Sequence, residues 1–178
     1  CMTVTGINGA RVSFDAMQET LSLTTLGELN EGDGVNVERS AKQGAEIGGH
    51  NISGHVDGCA EIIAIEESEN NCTLHFRLPQ GLSKYVFKKG FIGVSGCSLT
   101  VADYRRDEAE FTVCLIPETL RVTTFAHNGV VKSGSSVLHR SRYGFYSLGI
   151  RLLTRSNAST YSVTKRNMTA RVDSTWLI

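Results

Sequence analysis

Val113-Cys114-Leu115-Ile116-Pro117-Glu118-Thr119-Leu120-Arg121-Val122-Thr123-Thr124-Phe125 is the stretch that decides the fold, because a version of it occurs twice in the chain. Phe14-Asp15-Ala16-Met17-Gln18-Glu19-Thr20-Leu21-Ser22-Leu23-Thr24-Thr25-Leu26 stands 99 residues earlier with the same pattern of apolar, Glu-Thr and Thr-Thr positions. Upstream of each copy lies a second matching block. Cys1-Met2-Thr3-Val4-Thr5 corresponds to Ser98-Leu99-Thr100-Val101-Ala102 at a spacing of 97. Two blocks in the same order at nearly one spacing mean an internal duplication, and a repeat of this length is one folding unit written twice.

Working outward, each unit reads as strand. Val101–Tyr104, Phe111–Ile116 and Leu120–Thr124 are short, rich in β-branched residues and bounded by polar residues or Gly. Asn8-Gly9 is a hairpin signal between strands at Val4 and Val12, and Gly32-Asp33-Gly34 is a turn before a strand at Val35–Glu38. Gln80–Val86 reads as a brief helix. Many short strands at this spacing make an all-β chain of small closed or nearly closed barrels. The expected division is 1–50 for what is present of a first barrel, 51–138 for a second barrel and 139–178 for a tail. Because the chain begins at Cys1 in what reads as a strand, the first barrel is expected to be incomplete, cut inside a domain.

Composition narrows the function classes. With 178 residues, 40% hydrophobic, and no apolar run of membrane-spanning length, a packed core is expected and a transmembrane helix is not. No basic-then-apolar leader is visible. A formal net charge of zero argues against a nucleic-acid surface. That zero hides an asymmetry: residues 139–178 hold seven of the 18 Lys and Arg but only one acid, Asp173. Five cysteines (Cys1, Cys59, Cys72, Cys97 and Cys114) with no CxxC pair read as reduced thiols in a cytoplasmic compartment. A plastid address would have to precede Cys1.

Gly48-Gly49-His50-Asn51-Ile52-Ser53-Gly54-His55-Val56-Asp57-Gly58 is the densest cluster of unusual residues. Read alone it is a Gly-rich turn carrying two surface histidines. His50 and His55 lack a third ligand nearby, so no metal site is expected, and neither phosphate-loop pattern is present. The functional reading is that small residues let backbone amides approach a flat polar ring. Thr3 in one unit, and Ser98 with Thr100 in the other, offer hydroxyls; residues two apart share one strand face and line one pocket. Glu19-Thr20 and Glu118-Thr119 recur at matching places. Lys89, ahead of Gly90, reads by itself as a surface charge.

Taken in order, Glu46-Ile47-Gly48-Gly49-His50, Ser53-Gly54-His55-Val56, Lys89-Gly90-Phe91-Ile92-Gly93, Ser98-Leu99-Thr100-Val101 and Leu115-Ile116-Pro117-Glu118-Thr119-Leu120 resemble the α-chain type of riboflavin synthase, in the riboflavin synthase and lumazine-protein superfamily. The resemblance runs from Cys1 to about Val137. It implies tandem Greek-key six-stranded barrels with short helices between strands, and a homotrimer whose sites lie between barrels of neighbouring subunits. It implies the dismutation of two 6,7-dimethyl-8-ribityllumazine molecules to riboflavin and 5-amino-6-ribitylamino-uracil, with no metal or redox cofactor and no nucleic-acid or membrane partner. Matched motif by motif, the ring-binding residues are Cys1, Met2 and Thr3; Asp15, Ala16, Met17, Gln18, Glu19 and Thr20; and Gly54, His55 and Val56. In the second unit they are Ser98, Leu99 and Thr100 with Cys114, Leu115, Ile116, Pro117, Glu118 and Thr119. Lys89 is expected to reach a neighbour's site. Cys1, His55, Ser98 and Lys89 are the candidate catalytic groups.

Three departures stand against the family pattern. Its opening strands with a Met-Phe-Thr-Gly start are missing, and Ser95 replaces an Asp. After Val137 the family strand Val-Asn-Ile-Glu-Val-Asp, whose Asp is expected to serve catalysis, is not found. One codon choice for His139–Leu148, read one base later, yields Ile-Glu-Val-Asp-Thr-Val-Phe-Ile-Ala-Ser, so the tail is expected to be a frameshift product that packs weakly. A non-catalytic lumazine or flavin carrier of the same superfamily, or an inactive fragment, is the alternative. An unrelated flavin-binding barrel is disfavoured by the duplication and the Gly-Gly-His block.

Overall fold

The computed structural model describes residues 2–31, 33, 35–38, 40, 42, 44, 46 and 49–126, and the backbone of strands at 136–139, 151–154, 162–164 and 167–171. The first unit contains strands β1 (Val4–Asn8) and β2 (Arg11–Asp15), helix α1 (Gln18–Leu23) and strand β3 (Val35–Glu38). The second contains β4 (Val56–Ser68), β5 (Asn71–Arg77), α2 (Gln80–Ser83), β6 (Phe91–Val94), β7 (Cys97–Arg105), β8 (Glu110–Leu115), α3 (Pro117–Val122) and β9 (Ser136–His139). Strands β10 (Arg151–Thr154), β11 (Ser162–Thr164) and β12 (Asn167–Arg171) follow.

The second unit closes. Its strands pair antiparallel around a ring in the order β4-β5-β8-β7-β6-β9, and β5 skips two strands to join β8, which is a Greek-key connection. Closure follows from alternation. Along β5 and β8 every second side chain turns inward, so Cys72, Leu74, Phe76, Phe111, Val113 and Leu115 share one buried core with Val94, Leu99 and Val101. Phe76 and Phe111 stack at its centre, with ring centroids 4.8 Å apart. Outside the barrel, Glu110 accepts from both Arg77 and Arg105, tying β5, β8 and β7 into one charged belt. The Tyr104 hydroxyl donates to the Ser83 carbonyl at 2.6 Å, which pins α2 to β7.

The duplication is visible rung by rung. In the first unit Val4 faces Phe14, the register then slips, and Gly6↔Ser13, Ile7↔Val12 and Asn8↔Arg11 follow. In the second unit Val101 faces Val113, the register slips at the same place, and Asp103↔Thr112, Tyr104↔Phe111 and Arg105↔Glu110 follow. Only the connection differs: two residues (Gly9 and Ala10) in one hairpin, four (106–109) in the other. That difference accounts for the change of spacing from 97 to 99. Of the two loop residues in the first hairpin only Gly9 has positive φ (+59°), so the turn is centred on Gly9-Ala10 and not on the expected Asn8-Gly9 doublet.

One expectation is overturned. Leu120–Thr124 is not a strand; Pro117–Val122 is a helix, and Gln18–Leu23 is its copy. Pro117 has its φ preset for a first helical position and gives up an N–H that would have no partner there. Glu118 and Arg121 face each other one turn apart, with Arg121 Nε donating to Glu118 at 2.8 Å. The β-branched residues that favoured a strand cluster where the helix stops: Thr123 is extended (φ −126°, ψ 171°), as is Thr24 (φ −132°, ψ 165°). Both threonines do the same work. Thr24 Oγ1 donates to the Thr20 carbonyl at 2.7 Å and accepts from Leu26 N at 3.2 Å. Thr123 Oγ1 donates to the Thr119 carbonyl at 2.5 Å and accepts from Phe125 N at 3.5 Å.

The first unit has a smaller core of Met2, Phe14, Ala16 and Leu26, and it does not close among the described residues. Its sheet runs β1-β2-β12-β11, with β3 paired separately to β10. Strand β12 meets β2 in the register with which β5 meets β8: Met168↔Phe14 parallels Leu74↔Val113, and Arg171↔Arg11 parallels Arg77↔Glu110. The rest of 139–178, on which the expectation of weak packing falls, lies outside the described residues. The units touch through Asn36 of β3, whose carbonyl accepts from Thr124 N at 3.1 Å while its amide donates to Thr124 Oγ1 at 3.4 Å. Both residues are buried. Among the described residues no helix is long and apolar enough to cross a membrane.

Candidate functional site

On β6 and β7 the inward side chains are Ile92, Val94, Leu99 and Val101, so Phe91, Gly93, Ser98 and Thr100 lie on the outer face. Pairing sets Phe91 opposite Thr100 and Gly93 opposite Ser98. One rung beyond Val101↔Val113, Thr100 lies beside Cys114, and Cys114 in turn faces Thr73 across β8 and β5 with 3.8 Å between Sγ and Oγ1. A row of Phe91, Thr100, Cys114 and Thr73 therefore crosses the outer wall of the barrel. The next row, Gly93 and Ser98, leads toward Ile116. The result is an open patch, or cradle, of the outer wall that carries hydroxyls between an aromatic ring and an aliphatic side chain.

Residues 114–119 and 15–20 match in exposure as well as sequence. Leu115 and Ala16 are buried, while Cys114, Ile116, Pro117 and Glu118 face out, as do Asp15, Met17, Gln18 and Glu19. Ile116 and Met17, at 61% and 72% exposure, are the large apolar side chains that each unit holds in solvent at the start of its helix. Thr119 and Thr20 are half-buried. Thr3 stands outward between buried Met2 and half-buried Val4, as Thr100 stands outward between buried Leu99 and Val101. Equivalent positions thus have equivalent exposure. A flat heteroaromatic ring that needs apolar contact on its face and hydrogen bonds on its edge is the ligand such a wall suits.

The remaining expected residues fall at its margins. Lys89 is exposed in the turn entering β6, two residues before Phe91, with φ +65° and its N–H bonded to the Val101 carbonyl at 2.9 Å. Gly54 is buried and His55 exposed just before Val56 opens β4. Val56, His139, Gly93 and Ser98 lie in one cross-strand row. His55 is therefore about three strand spacings, roughly 14 Å, from Ser98 along the sheet. His50 arrives in its stead: its Nδ1 is 2.6 Å from Ser98 Oγ, and its ring stacks on Phe91 with centroids 4.4 Å apart and planes 4° from parallel. Sequence reading left His50 as a surface histidine and passed over Phe91; their meeting depends on the path of the linker, which no local pattern encodes. Cys1 lies outside the described residues, as do Ile47 and Gly48.

Electrostatics at the cradle are mild. Arg121, through its paired hydrogen bonds, holds the Glu118 carboxyl below the usual carboxylate range. Burial, then Glu67 and Cys114, push the Cys72 thiol up, which keeps it protonated and inert. Among the described residues no three His, Cys, Asp or Glu side chains converge as metal ligands would.

This wall, part of which recurs in the first unit, belongs to a small antiparallel β-barrel module, and the family model for the lumazine binding domain matches residues 1–40 and 53–137. The chain belongs to the lumazine binding domain family. It is similar to the riboflavin synthase of Escherichia coli, with 51% identity over 138 residues, covering 77% of this chain and 62% of that protein. It is similar too to the riboflavin synthases of Chlamydia pneumoniae (48% over 124 residues, 70% and 59%) and Bacillus subtilis (38% over 130 residues, 73% and 60%). The chain thus spans about three fifths of the length of these curated relatives. Among solved structures, that of LumP complexed with 6,7-dimethyl-8-(1'-D-ribityl) lumazine aligns at a TM-score of 0.48 and 14% identity, over 79% of this chain and 95% of that one.

Proposed function

We propose that the chain belongs to a riboflavin synthase, a transferase that converts two 6,7-dimethyl-8-ribityllumazine molecules into riboflavin and 5-amino-6-ribitylamino-uracil. One observation carries this: the outward threonine and the exposure pattern of residues 114–119 recur at Thr3 and 15–20, and the reaction requires two copies of the same ring. One lumazine donates a four-carbon unit and the other receives it. What one ring loses the other gains, so the exchange needs no external oxidant, and neither metal nor redox cofactor is part of the proposal.

In this reading Thr100 and Ser98 hydrogen-bond the ring edge in the second unit, and Thr3 does so in the first. Ile116 and Met17 cover ring faces. The chemistry starts with removal of an acidic methyl proton from one ring, for which the hydroxyls, Cys1, His55 and Lys89 are the candidate acids and bases. Nucleophilic addition to the partner ring follows. Holding two large rings face to face supplies much of the rate, since orientation alone contributes several kcal/mol, up to about 7–11. A homotrimer that sets a first-unit cradle against a second-unit cradle of its neighbour completes the reading. Cys59, Cys72 and Cys114 are present as thiols, in keeping with a reducing, cytoplasmic setting.

Binding without turnover, as in a carrier of the same family, is the second reading; it is favoured by the absence after Val137 of the Asp-bearing strand that the family pattern expects. Mixing the chain with the lumazine while following its fluorescence and the appearance of riboflavin separates the two. Turnover supports the synthase, saturable binding alone supports the carrier, and no binding of either ring refutes both.

A further inference from the structure

The imidazole of His50 lies flat on Phe91 with a ring nitrogen 2.6 Å from Ser98 Oγ. That is how a nitrogen heterocycle is held: one face against an aromatic ring, one edge nitrogen on a hydroxyl. We infer that His50 occupies the ring subsite of the second cradle as a stand-in for the substrate heterocycle, that Phe91 is the stacking platform of that subsite, and that the ligand must displace His50 to bind. The inference rests on the ring-binding reading given above and names two residues that reading did not use.

The surroundings fit a displaceable plug. Phe91 sits on the outer face of a barrel strand and stays 38% exposed even with the His50 ring stacked on it. Gly93, opposite Ser98, brings no side chain into the space beside the hydroxyl. His50 itself is exposed. A side chain added at the preceding Gly49 would meet no atom within 4 Å, so open space lies beside the linker next to His50. The contact joins residues 48 apart in sequence and bridges the linker to the barrel wall. A plug of this kind lowers apparent affinity by the fraction of time that it occupies the site.

The test is a fluorescence titration of the full chain with riboflavin and with 6,7-dimethyl-8-ribityllumazine, comparing wild type with His50→Ala, Phe91→Leu and Phe91→Tyr. Removing the plug is expected to tighten binding about tenfold, by the populations that a stacked, hydrogen-bonded contact sustains. Phe91→Leu is expected to weaken binding about tenfold, and Phe91→Tyr, which keeps the platform, to retain it. In proton NMR the His50 ring signals should move toward free-histidine positions as ligand is added. The far-UV spectrum and thermal midpoint of each variant report that the fold is retained; His50 and Phe91 both face solvent. Unchanged or weaker binding by His50→Ala, with wild type still binding, overturns the plug and leaves the ring-binding reading standing. Failure of wild type to bind either ring overturns both.

Discussion

The two units share a hairpin, a slipped rung and a threonine-stopped helix, yet among the described residues one closes around a large core and the other does not. Val4↔Phe14 and Val101↔Val113 are the same contact, but among the described residues Val113 is one of fifteen in its buried core and Phe14 one of four. Local geometry copies with the sequence; core size depends on how many strands the ring receives. The cradle is local and therefore duplicated, whereas stability is global and therefore unequal.

The largest expected effect is in the core of the closed unit. Phe111→Ala should destabilise the second barrel by roughly 3–5 kcal/mol, since it removes a fully buried ring stacked on Phe76. The equivalent position in the first unit is Val12, half-buried, so Val12→Ala should cost well under half of that. Urea unfolding followed by amide exchange at β8 and β2 measures both, and equal costs would break the contrast. Next is the charged belt. Glu110 lies between Arg77 and Arg105, while its counterpart Arg11 is exposed. Glu110→Gln should cost about 1–2 kcal/mol, less than a fully buried pair because both arginines are half in water; Arg11→Gln should cost almost nothing.

The clasp between units comes third. Asn36→Ala and Thr124→Val should each cost about 1–2 kcal/mol, the penalty for leaving a buried polar partner unmet. Their double mutant should cost less than the sum, and strict additivity would show that the clasp carries no coupling. Thr24→Val and Thr123→Val sharpen the likeness rather than the difference. Each should lose about 1 kcal/mol, and the two values should agree, because the bonds removed are the same.

The smallest effect is the pH response of Glu118. Its carboxyl is held below the ordinary range by Arg121, so the pair's contribution is fully present above the unfolded pKa and is lost as pH falls through the lower, folded one. An acid titration of wild type against Arg121→Gln should show that small difference vanish at the acid end; a difference that persists there would be unrelated to this pair. Ser22 stands at the corresponding place in α1 and donates to the Glu19 carbonyl, so the Glu–Arg pair is not repeated there.

The duplication, the hairpins and the outward hydroxyls were legible because they rest on short-range pattern: alternation with period two, a turn glycine and a repeated block. Helix α3 was not, because Val122, Thr123 and Thr124 carry strand preference while Pro117 and the Glu118–Arg121 pair decide the local geometry. Nor was the pairing of Phe91 with Thr100 or of His50 with Ser98. Both depend on the route that the chain takes around the barrel, and His50 depends on where a Gly-rich linker comes to rest. Asn36 read as one residue in a strand, and only the meeting of the two units makes it a clasp.

The central claim is that the outer wall bearing Thr100, Cys114 and Ile116, with its copy at Thr3, Asp15 and Met17, is where a lumazine ring lies. An NMR titration of the labelled chain with 6,7-dimethyl-8-ribityllumazine tests it most directly. Amide signals of Ser98–Thr100 and Cys114–Thr119, with those of Thr3 and Asp15–Thr20, should shift together and saturably, while the β7–β8 turn at 106–109, at the other end of these strands, stays still. Shifts confined to that turn, or spread evenly over the barrel, would contradict it.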